Sequence, residues 1–151
     1  MPLRRLSLAV LACAGSTAFA IVGGACLPSS PPPPTLSTGS YALVSAQGQV
    51  PPQVTFTDAA GRRVRVIADT LQINTATHGY VERGSVAITP VGGTEQAPTP
   101  IALGAQTYTV TGATTFQLPV TIAGPAQGSV LATTAIDLRM TDASHWNFQI
   151  R

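Results

Sequence analysis

From Gly39 to the end of the chain, apolar and polar residues alternate with a period of two, and this constrains the fold more than any other feature of the sequence. Tyr41 and Leu43 share one parity, as do Phe116, Leu118, Val120 and Ile122. Ile136, Leu138 and Met140 alternate with Asp137 and Arg139, and Trp146, Phe148 and Ile150 alternate with Asn147, Gln149 and Arg151. Period two places successive side chains on opposite faces of a strand, so each run predicts a half-buried strand. No amphipathic helical period follows Cys26. Twenty threonines, many beside valine or isoleucine, suit pleated surfaces.

Turn residues divide the runs. Asp58-Ala59-Ala60-Gly61 separates Val54–Phe56 from Val64–Val66, the pattern of a hairpin. Thr111–Thr114 predicts a tight turn between Tyr108–Thr111 and Thr115–Ile122; Ala123–Gly128 and Thr141–Ser144 separate the later strands. The apolar parity changes between Val66 and Leu71, which predicts a bulge within Ile67–Thr70. Pro90–Ala105 reads as the longest connector, a mobile insertion or a mouth-closing loop. The expected fold is all-β, with eight to ten short antiparallel strands. The inward set adds Ile73, Tyr80, Val86, Ile88, Tyr108, Val110 and Val130, contains no charged residue, and predicts a dry interior.

The N-terminus has a different character. Arg4 and Arg5 precede an uncharged stretch from Leu6 to Leu27, and no charge recurs until Asp58. A cationic start followed by an apolar run is the pattern of an export signal. The run ends in Pro28-Ser29-Ser30 and four further prolines, a stiff extended tether rather than packed structure. Three outcomes stay open: lipidation at Cys26, cleavage after Ala18-Phe19-Ala20, or retention of the segment as a membrane anchor. All three place the remainder outside the cytoplasm, in the cell envelope (periplasm or outer membrane) or secreted. Both cysteines, Cys13 and Cys26, lie in this segment, so the exported part has no internal disulfide.

The exported part carries six arginines against six acids and no lysine. A balanced charge argues against a nucleic-acid footprint. Within Arg62-Arg63-Val64-Arg65, Arg63 and Arg65 fall on one face of a strand and the valines on the other. His78 and His145 have no second ligand at metal spacing, so no metal site is expected. Ser144, His145 and Asp142 do not converge as a triad, since strand neighbours point to opposite faces. Paired carboxylates are absent from the sequence pattern, and no phosphate loop or nucleophile elbow occurs. The expectation is a protein that is not an enzyme, with no catalytic residues and no cofactor.

Gly39-Ser40-Tyr41-Ala42-Leu43-Val44-Ser45-Ala46-Gln47-Gly48, followed by Pro51, resembles the opening strand of small bacterial lipocalin-like domains. Ala68–Ile73 is similar to their second motif, Gln106–Gly112 to their central strand, and His145–Arg151 to their closing W-x-F-x-R strand. The long helices of larger lipocalins have no counterpart. The resemblance covers most of residues 38–151 and implies a small up-and-down β-barrel, with a signal or anchor over residues 1–27, a tether over 28–38 and the barrel over 39–151. It also implies an exported lipoprotein, lipidated at Cys26 and held to the membrane there or by the N-terminal anchor. Two roles follow as expectations: a structural or interaction module of the envelope, or a carrier of a small hydrophobic molecule or lipid. A ligand would meet the ring-bearing inward residues Tyr41, Tyr80, Tyr108, Phe116 and Trp146.

Overall fold

The computed structural model describes residues 32–151. Ten strands form in chain order: β1 (Gly39–Ala46), β2 (Thr55–Thr57), β3 (Arg63–Asn74), β4 (Gly79–Thr89), β5 (Thr99–Thr107), β6 (Thr109–Val110), β7 (Thr115–Leu118), β8 (Ala126–Ala132), β9 (Ala135–Met140) and β10 (His145–Ile150). No helix forms among the described residues. The export segment, the lipidation position Cys26 and the first part of the tether lie outside them.

The strands form one antiparallel sheet in the order β5-β4-β3-β1-β10-β9-β8-β7-β6, with β2 added beside β3. Apart from the short β2, neighbours are consecutive in sequence except where β1 pairs with β10, the first strand with the last. This is up-and-down order. The sheet curls into a half-barrel, compatible with a lipocalin-like fold. Its two terminal strands, β5 and β6, are separated by Tyr108 alone. One nearly continuous strand therefore pairs with β4 through its first part and with β7 through its last.

The local chemistry of the first hairpins follows the sequence. Asp58 Oδ1 accepts the amides of Ala60 (3.0 Å) and Arg62 (2.9 Å), which folds the turn between β2 and β3. Gly61 takes the left-handed conformation there, with φ 76°. The predicted bulge is present: the β3–β4 register shifts between Val66 and Ala68. The shift moves Asp69, Leu71 and Ile73 onto the face already held by Val64 and Val66.

The structure departs from several expectations. Thr115–Ile122 is not one strand, because β7 stops at Leu118. Pro119 has no N–H to continue the ladder, and Val120 turns partly to solvent. Second, Thr99–Thr107 is a strand rather than part of a long loop, so the connector shortens to Pro90–Pro98. Its alternation is faint because β5 is a mostly exposed edge, where Pro100 is tolerated. Third, the interior is not free of charged residues: Asp69 and Glu82 are buried, at 3% and 1% exposure.

Inside the curl, Tyr41, Leu71, Tyr80, Phe116, Ile136, Leu138, Trp146 and Phe148 form one core. The far end of the Phe116 ring lies over Gly128, its cross-strand partner, filling the space that a side chain there would need. Val110, placed inward by the alternation, is exposed because β6 is only two residues long and sits at the sheet edge.

Candidate functional site

All five ring-bearing candidates are buried, but they do not surround a common cavity. Trp146 packs edge-on against Phe56 at 5.8 Å. Tyr108 meets Phe116 edge-on at 5.8 Å and lies 5.3 Å from the His78 ring. The Tyr41 hydroxyl donates to the Ser37 carbonyl (2.9 Å) and accepts from the Ser37 amide (3.2 Å). Leu36 packs on the core beside this clamp. Tyr80 reaches the other way, as described below. All five rings belong to one buried core.

The hollows of the described residues are open grooves. The largest, about 530 Å³, runs over β7, β8 and β9. Its walls carry Thr109, Gln117, Gln127 and Arg139, and its floor Leu118 and Met140. Another, about 210 Å³, opens at the mouth where the chain enters, between Leu36, His78, Tyr108 and Phe116. Tyr108 and Phe116 border this hollow, Tyr80 an open groove of about 470 Å³ beside Gly39 and Gln106, and Trp146 one of about 140 Å³, so no single hollow gathers the five.

Histidine chemistry also differs from the sequence pattern. His145 lies 2.7 Å from Asp137 Oδ2, reached diagonally across the β9–β10 hairpin and not through its neighbour Asp142. Asp142 instead accepts the Ser144 amide. Ser129 stands opposite Asp137 on β8. In this row Asp137 is central and the histidine is terminal, the reverse of the order that activates a serine.

The least expected arrangement lies along the seam between β4 and the β7–β8 connection. Tyr80 and Glu82 point inward from β4. The Tyr80 hydroxyl donates to the Val120 carbonyl (2.5 Å) and accepts from the Val120 amide (3.3 Å). Two residues on, Glu82 Oε2 accepts the Ile122 amide at 2.9 Å. Thr121 ties its own segment down, donating to the Gly124 carbonyl at 2.5 Å. Side chains of β4 thus hold residues 120–122 where a backbone ladder is lacking.

Beside Glu82 stands Asp69, one register step away on β3, where Asp69 pairs with Gly84 and Leu71 with Glu82. Gly84 faces the backbone beside it: a Cβ there would lie 2.9 Å from the Ala68 carbonyl oxygen. Neither Asp69 oxygen has a well-formed hydrogen bond among the described residues. The Glu82 carboxyl is within its reach, and the two act on each other. Burial raises the pKa of both acids, and for Glu82 the nearby Asp69 charge raises it further. The expectation that paired carboxylates are absent is therefore wrong. Both positions carry the inward parity, Glu82 with Tyr80 and Val86, Asp69 with Leu71 once the bulge is counted.

No family model, curated protein or solved structure matches this chain.

Proposed function

We propose that the protein is a non-enzymatic, exported protein of the cell envelope, whose barrel serves as a structural or interaction module. The observation that supports this most is the filled interior, where Tyr41, Phe116, Trp146 and Phe148 are each no more than 1% exposed and pack on one another. A core closed in this way leaves the outer surface for contact. The groove over β7–β9 offers amide and hydroxyl side chains with a single cation, Arg139, a lining suited to neutral polar partners. In this reading the cationic start and proline tether deliver the barrel outside the cytoplasm, and a lipid on Cys26 holds it at a membrane as in small bacterial lipocalin-like lipoproteins.

A second reading, carriage of a small hydrophobic molecule, is favoured by the mouth hollow between His78, Tyr108 and Phe116. Its volume, about 210 Å³, is below the ~300 Å³ at which ligand pockets usually begin. Native mass spectrometry of the protein purified from a bacterial envelope separates these readings. The proposal predicts a lipid mass that survives denaturation and disappears in the Cys26→Ala variant, with no further mass. A reproducible mass lost on denaturation would show cargo and replace the module by a carrier.

A further inference from the structure

We propose that residues 119–125 form a proton-dependent latch over the barrel seam, closed while Asp69 and Glu82 share a proton and released when they lose it. Three geometric observations carry this. The segment is attached to β4 through Tyr80 and Glu82, whose side chains take the backbone groups of Val120 and Ile122. Pro119 interrupts the β7 ladder just before it, and the next strand starts only at Ala126. Asp69 is buried against Glu82 with neither oxygen well partnered.

A shared proton supplies one of the two Asp69 oxygens with a partner. With Glu82 Oε2 occupied by the Ile122 amide, a proton between the carboxyls lets one donate to the other. The ionisable groups facing the pair are few. Tyr80 approaches from β4, and its hydroxyl is engaged with Val120. Residues 119–125 contribute none, and the Thr121 hydroxyl within them lies 4.0 Å from the Met140 sulfur. Arg83, next to Glu82, projects to the opposite face of β4. Among the described residues no buried cation offsets a double negative charge, so two carboxylates would repel in a medium of low dielectric.

The direction with pH follows. Both acids hold a proton more tightly in the folded barrel than in the unfolded chain. Their contribution is complete below the ordinary carboxylate range, near pH 4, and is lost as pH rises through the raised values. Between the ordinary carboxylate range and the raised values, each proton kept by the closed pair and lost by the open one favours opening about tenfold per pH unit, and the effect levels off once the last proton has left. Opening exposes the seam between β4 and β7 without breaking a strand pair.

Hydrogen exchange of the full-length protein from pH 5 to pH 10, corrected for intrinsic rates, tests the latch. In the wild type, protection of the Ile122 amide should fall by about tenfold or more per pH unit as pH rises towards about 9 and then level off, while β9 and β10 amides keep theirs. The Glu82→Gln variant retains an acceptor for Ile122 and supplies a permanent donor to Asp69, so its protection should stay level with pH. Asp69→Asn should flatten the profile as well. A level wild-type profile would overturn the proposal, and so would an equal fall in the Glu82→Gln variant. Protection at pH 8 that rises with millimolar calcium would also overturn it, by showing that the pair holds a metal cation in place of a proton.

Discussion

At the scale of single residues, the closest packing is Phe116 on Gly128. A Cβ on Gly128 would stand 2.2 Å from the Phe116 ring, so the ring or the strand must move. Gly128→Ala should destabilise the protein by about 2–3 kcal/mol, as overpacking of a tight core does. Urea unfolding gives the value, and adding Phe116→Leu should recover part of it. The Phe116 parity was legible in the sequence, but its cross-strand glycine was not, because the pairing register joins segments separated by a turn and a loop. Legibility was likewise incomplete for the buried acids. Glu82 has the same parity as Tyr80 and Val86, so its inward position could be read, whereas a strand acid is ordinarily taken as solvated. Asp69 was hidden further by the bulge, which reverses parity just before it.

At the scale of elements, the β2–β3 hairpin was the most legible, because its turn chemistry is local. Asp58 binds two amides and the Arg62 side chain at once. The Arg62 guanidinium beside it holds its carboxyl below the ordinary range. The Asp58 contribution is therefore present at neutral pH and is lost as pH falls through that lowered value. Amide resonances of Ala60 and Arg62, followed by NMR on acidification, should shift together with a midpoint below the usual aspartate value. A midpoint at or above it would mean that the turn does not depend on the carboxylate. By contrast, the alternation overextends β7 and does not reveal β5. A proline within an alternating run ended the first, and the second shows little alternation because an edge strand buries little on either face.

At the scale of the whole molecule, strand alternation and turn residues established the class and the approximate strand count, but not how the sheet ends meet. The ring depends on long-range events: β1 pairs with β10, Tyr108 joins the terminal strands, and side chains of β4 hold residues 120–122 across the gap. None of these has a local sequence signal, since each joins residues far apart in the chain. That last contact holds the β7–β8 connection against β4 on the open side of the half-barrel. Residue-resolved amide exchange at pH 6 tests it most directly. The account predicts that the Ile122 amide exchanges as slowly as the paired amides of β3 and β4, although it lies outside any strand. Exchange of Ile122 at the rate of the exposed Pro90–Pro98 connector would contradict it, leaving the seam open and the interior accessible.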